Sequence, residues 1–134
     1  MFKKLLGFLI VSMLFGVILS ACFVDYDPLE NMHSQYKDAG GNFITGSGIG
    51  DARGFYNTFV TVELWLENGW IKKAKVSGPD ESPGYGAVVI ESAKQLIEFS
   101  NSVEMDTIAG ATTTTKAVVA AGRAALINAG VAED

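Results

Sequence analysis

Between residues 60 and 66, Val60, Val62, Leu64 and Leu66 alternate with Thr61, Glu63 and Trp65, the period of a half-buried strand. Asn68-Gly69 follows as a tight-turn dipeptide and leads into WIKKAKV, residues 70–76, which completes a hairpin. The alternation of this second strand is imperfect: Trp70, Ala74 and Val76 share a parity with Lys72, while Ile71 shares one with Lys73 and Lys75. An earlier extended piece falls at about Asn42 to Gly46, ahead of the glycine-containing GSGIGDARG, residues 46–54. Together these segments predict an antiparallel meander.

The period then lengthens. GPDESPGYG, residues 78–86, carries two prolines and three glycines, which predicts an irregular but defined loop. AVVIESAKQLIEF, residues 87–99, sets Val89, Ala93, Leu96 and Ile97 along one helical face with Ile90 nearby. KAVVAAGRAALINAG, residues 116–130, repeats Val118, Ala121, Ala125 and Ala129 at helical spacing, with Val119 and Leu126 beside them. Gly130 stands where helices commonly stop, and Gly122 weakens the run without ending it. Strands followed by two helices predict an α+β domain in which the helices cover a small antiparallel sheet.

Just ahead of the second helix lies DTIAGATTTT, residues 106–115, which puts four threonines at a helix N-terminus. The first backbone N–H groups of a helix have no intrahelical acceptor and the macrodipole favours negative charge there, so an anion or phosphate is one expected occupant. Capping by one Thr hydroxyl, with the others exposed to solvent, is the structural alternative. Gly110 allows an unusual dihedral or a close approach.

The front of the chain concerns sorting. Lys3 and Lys4 precede an apolar stretch from Leu5 to Leu19, shorter than the roughly 20 residues that cross a bilayer. LSAC, residues 19–22, resembles the lipobox of bacterial lipoproteins, which implies cleavage before Cys22 and acylation of that residue. Cys22 is the only cysteine and can form no internal disulfide. The expected organisation is a signal peptide at 1–21, a polar tether at 22–35, one domain at 36–130 and a tail at 131–134. Residues 22–134 would retain eight basic residues against fifteen acidic ones, a net charge of −7, and this balance argues against nucleic acid as a partner. His33 stands alone, no metal-ligand spacing occurs, and Asp80-Glu81 lies in a loop with no visible partner.

From Tyr36 to Leu126 the chain resembles the small FMN-binding domain of the C subunit of sodium-translocating NADH:quinone reductases and the G subunit of Rnf complexes. The stretches that carry the likeness are YKDAGGNF, VTVELWLENGWIKKAKV, DESPGYG and DTIAGATTTTKAVVAAGRAAL. In that family a motif D-x-x-(S/T)-G-A-T ends on a Thr esterified to the FMN phosphate. Asp106, Gly110, Ala111 and Thr112 match it, with Ala109 in place of the frequent hydroxyl residue. The resemblance implies covalent FMN on Thr112 through a phosphothreonyl linkage, with Thr113 as a neighbouring hydroxyl and Asp106 orienting the loop or assisting transfer. It also implies a magnesium-dependent FAD:protein FMN transferase for maturation, and electron transfer with other extracytoplasmic or membrane redox components. Gly84 and Tyr85 of DESPGYG are expected to approach the flavin, and Trp65, Trp70 and Phe99 are further stacking candidates. The competing class is a non-redox envelope lipoprotein that binds FMN or another phosphate ligand noncovalently. Acylated Cys22 would anchor either form to the extracytoplasmic side of the cell membrane or outer membrane.

Overall fold

The computed structural model describes residues 35–133. Among them the order is β1 (Gly46–Arg53), a 3₁₀ turn (Phe55–Asn57), β2 (Phe59–Glu67), β3 (Trp70–Ser77), α1 (Tyr85–Ser100) and α2 (Thr112–Asn128). The strands form one antiparallel sheet ordered β1-β2-β3, with α2 against β1 and β2 and α1 against β3. This is the expected α+β arrangement. Residues 1–34, which include the apolar stretch from Leu5, Cys22 and His33, lie outside the described residues.

Val60, Val62, Leu64 and Leu66 all face inward and are buried, so the central strand keeps the alternation of its sequence. On β3 the register explains the broken parity: Trp65 pairs with Lys73 and Leu66 with Ile71, so Lys72 is an extra residue in a bulge. Ile71 and Ala74 therefore both reach the core, contrary to the grouping that simple alternation suggests. Side chains cap part of the outer edge of β3. Asn101 Oδ1 accepts the Ile71 N–H at 2.7 Å and Glu98 Oε1 accepts the Ala74 N–H at 2.8 Å, so two amides of this edge are satisfied from α1 and its C-cap.

The first strand lies later than the expected extended piece, covering the glycine-containing segment 46–53 instead of residues 42–46. Glycine disfavours strands in isolation, but here it admits the helix. A Cβ at Gly48 would lie 2.0 Å from the Ala125 carbonyl oxygen, and one at Gly50 would lie 2.2 Å from that of Ala121. Strand and helix backbones thus pack almost directly, with the small residues of α2 as the matching surface. Gly122 plays the same part on another face of α2, where a Cβ would lie 2.7 Å from Val103 Cβ.

The first helix starts at Tyr85, two residues before the expected start, and so takes Tyr85 and Gly86 out of the predicted loop. Gly86, Val89, Ala93 and Ile97 are its buried stripe. Leu96, assigned to that face from spacing, is 46% exposed. At 100° per residue it lies about 65° from the centre of the stripe, at its margin.

Candidate functional site

The strand end at Arg53, the 3₁₀ turn and the starts of both helices meet at one end of the domain. Along β1, Gly48 faces Ala125 and Ala129 while Gly50 faces Ala121 and Ala125, so α2 runs antiparallel to the strand and brings Thr112 toward the Arg53 end.

The connection into α2 is a turn in which the Ala111 N–H donates to the Ile108 carbonyl at 3.0 Å. Its third residue, Gly110, has φ +83°, a conformation that side chains disfavour and that type II turns assign to glycine. Ala111 is the N-cap residue and is buried, and its methyl group can accept no hydrogen bond. The N–H groups of Thr112, Thr113 and Thr114 are consequently left without an acceptor among the described residues. No threonine caps the helix, which corrects the structural alternative for the run. The four hydroxyls divide in pairs: Thr112 and Thr113 are exposed, whereas Thr114 and Thr115 are buried. Thr115 Oγ1 donates to the Ala111 carbonyl at 2.9 Å, and Thr114 donates to Glu81.

The start of α1 is built differently. Gly84 is its N-cap residue, with φ +107°. Ser82 Oγ accepts the Gly86 N–H at 3.0 Å and the Ser82 carbonyl accepts the Ala87 N–H at 3.0 Å, so of its first three N–H groups only that of Tyr85 lacks an acceptor among the described residues. Of the two helix starts, only that of α2 offers a set of free donors to an anion.

Tyr85 opens α1 and is 66% exposed. Its ring lies along Gly110, where a Cβ would meet Cδ1, Cε1 and Cγ at 3.1, 3.2 and 3.3 Å. Thus Gly84, Tyr85, Gly110, Ala111, Thr112 and Thr113 come together. Asp106 is exposed and forms no hydrogen bond or ion pair with the described residues, so nothing ties it to the Thr112 end. Trp70 sits at the far end of the sheet, beyond the whole of β2, a span of about 26 Å at ~3.3 Å per residue. Trp65 lies on the sheet face away from the helices, beneath Lys73 Nζ at 4.9 Å, and Phe99 is 89% exposed near the last turn of α1. Topology therefore removes three of the four aromatic stacking candidates and retains Tyr85.

Other residues at this end went unread in the sequence. Phe55 and Tyr56 are exposed, with ring centroids 4.2 Å apart in an edge contact. Arg53 covers the Phe59 ring at 4.1 Å and donates to the Asn57 carbonyl at 2.7 Å. Glu81, expected to have no partner, is buried and accepts both the Phe55 N–H and the Thr114 hydroxyl. The aromatic pair had a legible signal, since GFYN separates two strands and its rings have no place in the hairpin alternation. Glu81 had none, because its partners are 26 and 33 residues away.

Free amide donors around an exposed hydroxyl, a glycine turn that clears the approach and adjacent exposed rings define a binding domain for a ligand with a phosphate and a planar ring system. Residues 56–127 match the family model of the FMN-binding domain, and the chain belongs to that family, typified by the FMN-carrying subunit of sodium-translocating NADH:quinone reductase and Rnf complexes. No curated protein shows a significant match to the chain. The residues present fit FMN: the donors of Thr112 to Thr114 suit its phosphate, and Tyr85 with Phe55 and Tyr56 offers apolar surface for its ring.

Proposed function

We propose that the protein is an extracytoplasmic electron carrier whose FMN is esterified to Thr112 and which is held at a membrane by acylated Cys22. The observation that carries this reading is the exposed Thr112 hydroxyl at the first position of α2, beside three N–H groups that lack acceptors among the described residues. A phosphodiester formed there keeps a negative oxygen that these donors and the helix dipole stabilise. Thr114 and Thr115 are buried with their hydroxyls engaged, so only Thr113 competes as an acceptor, and one residue of helix turns it roughly 100° away.

A Thr hydroxyl is a weak nucleophile at neutral pH, and no histidine or other base is hydrogen-bonded to Thr112 among the described residues, which supports attachment by a separate transferase. With FAD as donor, Thr112 Oγ forms a bond to the FMN phosphorus, the pyrophosphate bond breaks, AMP leaves and the hydroxyl proton passes to a base of the transferase. The flavin supplies one- or two-electron redox chemistry when bound. The chain's residues hold its phosphate, shield one side of its ring and prevent its loss by dilution.

Co-expression with a magnesium-dependent flavin transferase should add about 438 Da, the mass of FMN less water, to a peptide containing Thr112. Thr112→Ala should lose both the increment and reversible flavin bleaching. An unmodified wild-type protein under conditions that flavinylate a related control, or an unchanged covalent flavin in the substituted protein, would overturn the assignment.

A further inference from the structure

Glu81 is only 6% exposed, although it lies in a connecting loop, where acidic residues are ordinarily solvated. Its Oε1 and Oε2 lie 3.0 and 3.1 Å from the Phe55 amide nitrogen, and Oε2 also accepts the Thr114 hydroxyl. No cationic side chain is within ion-pair distance of it among the described residues. Room is made by three glycines from different segments. A Cβ would lie 2.0 Å from Glu81 Oε1 at Gly54, 3.0 Å from its Cγ at Gly78 and 3.1 Å from its Cβ at Gly86. A buried carboxylate is costly unless hydrogen-bonded, and this one is held by an amide, a hydroxyl and the positive end of α2.

The Phe55–Asn57 turn needs such a hold. Tyr56 and Asn57 both have positive φ, 55° and 59°, which L-residues disfavour, and none of the three residues of the turn is buried. Among the described residues the turn's other hydrogen bonds run only to its immediate chain neighbours: Asn57 N–H donates to the Gly54 carbonyl at 3.2 Å, Thr58 Oγ1 to the Phe55 carbonyl at 2.9 Å, and Arg53 Nη1 to the Asn57 carbonyl at 2.7 Å. The carboxylate reaches further, joining the turn to the loop before α1 and to the first turn of α2.

We propose that Glu81 is a positioning residue: by accepting the Phe55 N–H and the Thr114 hydroxyl together, it fixes the exposed Phe55 and Tyr56 rings beside the Thr112 end of α2 as one wall of the flavin site. Tyr85, packed on Gly110, forms a second aromatic surface at the same end. The identity of what this wall faces rests on the flavin reading given above, whereas the latch between Glu81, Phe55 and Thr114 stands on geometry alone.

The test has two arms. In protein made without the transferase, amide exchange at Phe55 to Asn57 should rise roughly tenfold or more in Glu81→Ala and in Thr114→Val, while β2 amides keep their protection. Thr114→Val replaces the hydroxyl with a methyl group of similar size, which deletes the donor to Glu81 and leaves the carboxylate in place, so it decides the matter if Glu81→Ala does not fold. Glu81→Gln should restore most of the protection, because its amide oxygen still accepts the Phe55 N–H and its NH₂ can donate to Thr114 Oγ1. In flavinylated protein that carries the Thr112 mass increment, Tyr56→Ala and Thr114→Val should lower flavin fluorescence anisotropy and shift its absorption bands. Unchanged exchange at Phe55 in Thr114→Val overturns the latch. Raised exchange with unaltered flavin anisotropy and absorption overturns the wall. An absent Thr112 increment in the wild type overturns the attachment reading instead, and the exchange arm then decides the latch by itself.

Discussion

Replacing Gly50 with alanine adds one methyl group to the closest contact between β1 and α2. That methyl would lie 2.2 Å from the Ala121 carbonyl oxygen, 2.5 Å from the Ala125 nitrogen and 2.7 Å from Ala124 Cβ. Two of these three atoms are helix backbone and cannot rotate aside, so the helix or the strand has to shift. Overpacking a close-packed interior costs about 1–3 kcal/mol, and the backbone neighbours put this site at the upper end, about 3 kcal/mol. The alanine also reduces the freedom of the unfolded chain, a gain of about 0.4–1 kcal/mol that leaves a net loss of about 2–2.5 kcal/mol. For a domain of this size each kcal/mol moves Tm by about 4–8 °C, so the midpoint should fall by roughly 8–20 °C. Gly46 provides the control, since it lies in the same strand and a Cβ there meets nothing within 4 Å. Thermal and urea unfolding followed by circular dichroism would compare Gly50→Ala with Gly46→Ala. A Gly50→Ala midpoint within about 2 °C of wild type, or an equal loss in Gly46→Ala, would refute the account of β1 glycines as clearance for α2.

Gly84→Ala should lower stability by about 1–3 kcal/mol in urea unfolding, because φ +107° is strained for any L side chain, and an unchanged midpoint would show that the loop relaxes freely. Asp38 accepts the Asn42 N–H at 2.9 Å and the Gly40 N–H at 2.8 Å; the Asn42 backbone and side chain are the main causes holding its carboxyl below the ordinary carboxylate value. Because the folded value is the lower one, the turn is supported above the unfolded value and loses that support as pH falls through the folded value. The Asn42 amide shift in an NMR titration should therefore have a midpoint below that of a free aspartate, and a midpoint at or above it would contradict the assignment. Cys22→Ser should abolish lipid labelling and release protein to the soluble fraction where cleavage persists; unchanged labelling and membrane retention would defeat the proposed anchor.

Short-range pattern carried one part of this fold. The alternation from Val60 to Leu66 placed the central strand, Asn68-Gly69 placed the hairpin, and the alanine-rich run after Thr115 placed the helix that the threonines introduce, because period and turn chemistry act over a few residues. The order of these elements, with the Gly-Ala-Thr turn, was also enough to indicate the FMN-binding family. Tertiary structure decided the rest. It made a strand of Gly46–Arg53 against local propensity, since the absent side chains at Gly48 and Gly50 let α2 approach, and it moved Lys72 into a bulge so that Ile71 and Ala74 could share the core. It divided four identical threonines into two exposed and two buried, a distinction set by which side of a helix meets the body of the domain. It also gathered the site's outlying residues, removing Trp70 and Phe99 to the far end and drawing Glu81 under the Thr114 hydroxyl. Such a buried carboxylate has no local signature: its solvation is replaced by a hydroxyl and an amide from distant segments, which exist as partners only after the chain has closed around them.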